Sequence, residues 1–337
     1  MVFRSPRLAA ALALSAAALA GGVAGCGGSG RADSGKPVVA ATAPQLDSLV
    51  RELAGGGIEV ASVVAATADV HELELRPSQV RALRDATLIL RPGRGNDAWA
   101  QEALDRVDGK QVDVSAGLAG AERHWWMDPA LAEEAATAIA AELDRLDPAG
   151  ETARAAALQR VNAELREIDA ETKRCLATVP PSSRVIVTDH DAAGAYASRY
   201  GLTVAGTISP GADPEAAPSA RRIVDLVATM EERGVKAVFP IAPHGSELAT
   251  TVAQRGGAVL GEPLWADALP GATHGGEGHD AHADGEDEGH AADARSVGEH
   301  AAHVEGEPTL ASAAHLNGEA VAEALGAKPS ACGHLLG

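Results

Sequence analysis

Short apolar runs rich in β-branched residues alternate with helical stretches along this chain, and the alternation occurs twice. In the first block, strands are predicted over 37–42, 58–64, 87–90 and 111–114, with helices over 45–53, 77–85 and 97–107. Gly55, Gly56 and Gly57 stop the first helix and Pro77 opens the second, each in the position its backbone favours. In the second block, strands over 185–188, 202–206, 235–239 and 258–260 alternate with helices over 191–200, 217–233 and 245–256. Such alternation implies a parallel sheet covered by helices. Between the blocks lie two helical patterns, 129–146 and 150–176, the second long and charged along one side. A last helix is predicted over 309–325. The fold class is therefore α/β: two lobes, each a mostly parallel sheet flanked by helices, joined by one long rigid helix. The lobes run over 37–147 and 179–337, with the linker helix in 148–178. Only 2% of the residues are aromatic against 46% hydrophobic, so the core is built from Ala, Val and Leu.

The N-terminus sets the compartment. Arg4 and Arg7 precede an apolar run over 8–20 that is too short to span a bilayer, as in a secretory signal. Val23-Ala24-Gly25-Cys26 resembles the lipobox of bacterial lipoproteins. By that resemblance 1–25 is removed, Cys26 carries the lipid, and 26–36 is a flexible tether. The protein is then extracytoplasmic and held to the membrane by its anchor. Cys175 and Cys332 are left over, an even pair expected to form a disulfide in that compartment.

A net charge of −19 argues against nucleic acid as a partner and fits a protein that handles cations. Part of that charge sits in 272–305, a tract with six histidines (His274, His279, His282, His290, His300 and His303), nine carboxylates and one base, Arg295. It has no periodic apolar face, so it is expected to be disordered, and its composition reads as auxiliary, low-affinity metal capture.

Four residues follow predicted strands, two per lobe: His71, His124, His190 and Asp267. Ligands of open α/β sheets gather at the strands' carboxyl edges, so a shared cleft would bring these four together. Three imidazoles and one carboxylate make a donor set suited to Zn²⁺. Taken singly, His124 reads equally as a brace for a helix start and Asp267 as a turn residue. Glu262 competes for the carboxylate position. Imidazole ligation predicts affinity falling as pH drops through about 6.5.

His71-Glu72-Leu73-Glu74 with Pro77, His124-Trp125-Trp126-Met127-Asp128-Pro129, His190-Asp191-Ala192 through Arg199-Tyr200-Gly201-Leu202, and Leu264-Trp265-Ala266-Asp267-Ala268-Leu269 together resemble the ZnuA-like solute-binding lipoproteins of bacterial zinc/manganese ABC importers. The resemblance covers most of 37–326. It implies His71, His124, His190 and Asp267 as metal ligands, with Glu74 and Asp191 beside the first and third rings to orient them. It also implies an ABC permease with its ATPase as partner, a monomer, and no bond chemistry. His190, where manganese binders of the family tend to carry Glu, favours Zn²⁺ over Mn²⁺ as cargo. One departure is that the His-rich tract follows Asp267, whereas the family's lies after the first ligand. Two other readings stay open. A surface metal buffer or adhesin needs no permease. A zinc hydrolase would use three histidines and an open position, but there is no HExxH pattern.

Overall fold

A computed structural model describes residues 35–71, 73–210, 217–243, 247–271 and 308–336. The expected signal and lipobox with Cys26, and the His/acid tract with its six histidines, lie outside the described residues. No helix among the described residues is long and apolar enough to cross a membrane.

Strands β1 (Val38–Ala41), β2 (Glu59–Ala61), β3 (Leu88–Arg91) and β4 (Lys110–Asp113) form a parallel sheet in the order β2-β1-β3-β4. Its register sets Val39 beside Val60 and Leu88, and Ile89 beside Gln111. Helices α1 (Pro44–Ala54), α2 (Pro77–Asp85) and the short α3 (Gln101–Leu104) connect these strands. Helices α4 (Pro129–Leu146) and α5 (Glu151–Leu176) follow. The second parallel sheet, in the order β6-β5-β7-β9, comprises β5 (Val185–Thr188), β6 (Thr203–Thr207), β7 (Ala237–Phe239) and β9 (Val259–Leu260). Around it lie α6 (Gly194–Tyr200), α7 (Ala220–Arg233) and α8 (Glu247–Gly256). A two-stranded sheet that the alternation does not reveal pairs β8 (Ile241–Ala242) with β10 (Leu264–Trp265), and α9 (Leu310–Ala324) closes the fold. Two parallel sheets flanked by helices are thus as expected from the sequence.

Strand parity explains how the lobes join. Side chains alternate between the faces of a strand. Val39 and Ala41, Leu88 and Leu90, Ile186, and Ala237 and Phe239 enter one core with Ile139, Leu143, Val161, Leu165 and Val321 from α4, α5 and α9. The intervening Ala40 and Ile89 enter a second core under α2. Val187 and Val238 enter a third under α7 and α8. The inner faces of both sheets therefore share one continuous core, and α5 runs through it rather than bridging solvent. The described residues from Lys36 onward make one compact unit.

Two segments depart from expectation. The helix expected over 97–107 is a 3-10 turn, Ala98–Ala100, followed by the four residues of α3. Asp97 is drawn into the sheet edge: it accepts from Thr42 Oγ1 at 2.9 Å and from Arg91 at 2.7 and 3.1 Å. At the other end Gly109 leads into β4, where an added Cβ would lie 2.5 Å from the Ala86 carbonyl oxygen. Helix α6 starts at Gly194, because 189–193 form the turn that presents His190.

Candidate metal centre

His190 stands at the carboxyl end of β5, and its ring is fully buried. The turn behind it is fixed on three sides. Asp189 accepts from the His190 amide at 2.6 Å and from the Ile241 amide at 2.8 Å, and Thr188 Oγ1 donates to the His190 carbonyl at 2.7 Å. Asp189 Oδ1 also lies 2.8 Å from His190 Nδ1. That contact keeps the proton on Nδ1 and turns Nε2 toward the cleft.

His124 enters from the other lobe. It precedes a 3-10 turn, Trp125–Met127, whose following Asp128 caps α4 by accepting from the Ala130 amide. His124 itself is left-handed, with φ 55° and ψ 34°. A non-glycine residue there costs on the order of 1 kcal/mol, strain of the kind that collects at functional sites. Trp126 braces the ring edge-on, with centroids 5.4 Å apart. His71 comes from the loop between β2 and α2, where its amide donates to Asp69 Oδ1 at 2.8 Å. Asp267 follows β10, whose Trp265 is tied to Asn317 by two backbone–side-chain hydrogen bonds of 2.7 and 3.1 Å.

These four side chains converge. Asp267 Oδ1 lies 3.0 Å from His124 Nε2 and 3.4 Å from His71 Nε2, and Oδ2 lies 3.1 Å from His190 Nε2. One donor atom from each lies within 4.8 Å of every other, close enough to surround one ion. Side-chain exposures of 2%, 0% and 1% for His124, His190 and Asp267 contrast with 17% for His71, so the site meets solvent on the His71 side. Burial by itself lowers the pKa of His190. The hydrogen bonds and charges of Asp189 and Asp267 outweigh it and raise the value from 6.5 to about 9. If all four bound one Zn²⁺, they would make up the four-donor tetrahedral set of a closed site, with no position left for a reactive water.

The other sequence-derived residues fall differently. Glu262 is exposed, which leaves the carboxylate position to the buried Asp267. Glu74 and Asp191 are both exposed. The acid that orients the third ring is Asp189, on the opposite side of His190 from Asp191 in the chain. Both acids adjoin the histidine, and only the turn geometry tells them apart. Cys175 and Cys332 form a disulfide. Gln45, Trp126 and Asn317 surround the Asp267 segment; Trp126 belongs to the motif that follows His124, whereas Gln45 and Asn317 are not singled out by the sequence. Asn317 left a signal there, as a polar residue on the apolar face that α9 shares between Ala313, Ala320 and Val321.

A family model described as zinc-uptake complex component A, periplasmic, matches residues 39–281. The high-affinity zinc uptake system protein ZnuA of Paracoccus denitrificans is 27% identical over 286 residues, covering 70% of this chain and 86% of that protein. The manganese-binding lipoprotein MntA of Halalkalibacterium halodurans is 25% identical over 259 residues, covering 73% and 85%. Among solved structures, the periplasmic zinc-binding protein TroA of Treponema pallidum has the same fold. Its TM-score is 0.68 at 21% identity, over 86% of this chain and 99% of that one.

Proposed function

The chain belongs to the zinc-uptake complex component A family, metal-binding components of ABC importers and not enzymes, and on that premise we propose that it captures Zn²⁺ outside the membrane and delivers it to an importer's permease. The observation that carries this reading is the meeting of three imidazoles and one aspartate, from four separate segments, within 4.8 Å of one another. In this reading His71, His124, His190 and Asp267 are the ligands. A nitrogen-rich shell favours Zn²⁺ over the harder Mn²⁺, for which oxygen donors are better suited. Manganese is the second reading, favoured by relatives named for that metal, such as the lipoprotein MntA. A lipid on Cys26 would keep the protein beside its permease, and the tract over 272–305 would hold further ions weakly.

The ion enters past His71, the ligand that solvent reaches. Asp267 neutralises one of its two charges, and the rings supply lone pairs only when deprotonated, so loading displaces the proton of His190. With a shared core joining the lobes, release calls for local movement of ligand-bearing segments. Titration of the purified protein with Zn²⁺ and Mn²⁺ against a competing chelator tests the reading. Zn²⁺ should bind about a hundredfold more tightly than Mn²⁺, and Asp267→Asn should weaken Zn²⁺ by at least about tenfold. Equal affinities, or an unaffected Asp267→Asn variant, would overturn it.

A further inference from the structure

Asp267 belongs in sequence to the C-terminal lobe, yet the backbone beside it is held by the N-terminal one. The carbonyl of Ala266, one residue before the carboxylate, accepts two hydrogen bonds: from Gln45 Nε2 at 2.7 Å and from Trp126 Nε1 at 2.8 Å. Gln45 sits in the first turn of α1 and Trp126 two residues beyond His124. Both donors and the acceptor are at least 96% buried, with exposures of 2%, 4% and 0%. Two residues after Asp267, the Leu269 amide donates to the Ala66 carbonyl at 2.7 Å, in the loop that leads to His71. On the C-terminal side the segment is held at Trp265, by Asn317. The carboxylate is therefore bracketed by contacts to the lobe that contributes His71 and His124.

We infer that Gln45 and Trp126 are positioning residues that clamp the Ala266 carbonyl and so hold Asp267 in place to retain the metal. The inference rests on the ligand reading above and goes beyond it. Neither side chain touches the ion. They act through the peptide that carries the fourth ligand. Both lone pairs of that carbonyl are occupied by N–H donors in a site closed to water, where losing one bond has no solvent replacement. A carboxylate held in this way cannot swing away from three imidazoles without breaking buried hydrogen bonds, so the clamp acts on release more than on capture.

The test uses Gln45→Met and Trp126→Phe. The first keeps the length and burial of the side chain, and the second keeps an aromatic ring against His124. Each removes one donor and leaves the other. Zn²⁺ is loaded, excess chelator is added, and dissociation is followed by stopped flow beside the melting temperature of the metal-free form. Each variant should release Zn²⁺ about tenfold faster, the equivalent of one buried hydrogen bond. Unchanged release with a lowered melting temperature would make the pair merely structural and overturn the inference. Hydrogen exchange of the wild-type protein gives an arm that needs no variant to fold. Peptides covering 264–271 should stay protected without metal, and fast exchange there would also overturn it. Asp267→Asn separates the two levels. Tight binding retained in that variant sinks the ligand assignment, whereas binding lost there with unchanged release from the clamp variants sinks the clamp alone.

Discussion

Asp267 is the residue on which the site's electrostatics turn. In the metal-free protein its two oxygens are shared among His71, His124 and His190. In the proposed reading a dication takes the place of that arrangement, and His190 is where proton and metal compete. Its pKa, raised to about 9, fixes the sign of the pH dependence. A histidine whose pKa rises on folding stabilises the fold fully below about 6.5, and that contribution disappears as pH climbs through about 9. The metal-free protein should therefore melt at a lower temperature near pH ~9.5 than near pH ~7, while Zn²⁺ affinity increases across the same interval. Calorimetry near pH ~7.5 in buffers of different ionisation enthalpy should show about one proton released per ion, and no release would contradict the arrangement. This moves the expected window upward from the free-imidazole value read from sequence, because two carboxylates face a buried ring. All four converging residues were legible as candidates, since each follows a strand in a recognisable motif. Their supporting residues were less so. Asp189 and Asp191 look alike beside His190, and Glu74 lies within a ligand motif but points to an exposed position in the fold.

At the scale of elements, α4, α5 and α9 hold the two sheets in one core, and polar links reinforce the joints. Arg199 of α6 donates to Asp169 of α5 at 2.9 and 2.6 Å and lies 3.3 Å from Asp128, the cap that follows His124. The helix after His190 is thereby tied to the helix after His124. Arg154 of α5 is buried and pairs with Asp144 and Asp147 at the end of α4. The disulfide between Cys175 and Cys332 ties the C-terminal turn to the end of α5 and closes a separation of 157 residues. Constraining an unfolded loop of that length is worth up to ~5 kcal/mol, and removing native bridges typically costs about 2–5 kcal/mol. Replacing both cysteines with serine should lower stability in urea by that range and leave Zn²⁺ dissociation unchanged. A faster dissociation would show that the bridge acts on the site. Several element boundaries were visible in the sequence because Pro77 and Pro129 open helices while Gly55 and Gly201 end them. The helix expected from 217 begins only at Ala220, after Ser219 caps it. The stretch around 97–107 departs from the helix expected there because Asp97 caps nothing and instead pairs with nearby Arg91 and with Thr42, which lies 55 residues away in the chain. The pairing of β8 with β10 escaped for a different reason: two residues in each strand carry no period.

For the whole molecule, the question is how a cleft between two lobes that share a core loads and unloads an ion. The His/acid tract begins directly after Gly271, close in sequence to Asp267, and its removal is informative. Deleting 272–305 should leave one tightly held Zn²⁺ and abolish weaker additional ions, as counted by native mass spectrometry. Loss of the tight ion would put its ligands in the tract. Local patterns in the chain were enough to establish the α/β class, the two sheets and the candidate ligand types, because strand period, helix punctuation and motif chemistry all act over a few residues. The motif around Leu264 to Leu269 already pointed to Asp267 over Glu262, but only the folded chain decided that Asp189 orients His190 and that the N-terminal lobe grips the peptide before Asp267. Those outcomes depend on which side chains meet across separations of tens to hundreds of residues. Burial and hydrogen-bond satisfaction select those meetings once the core has closed.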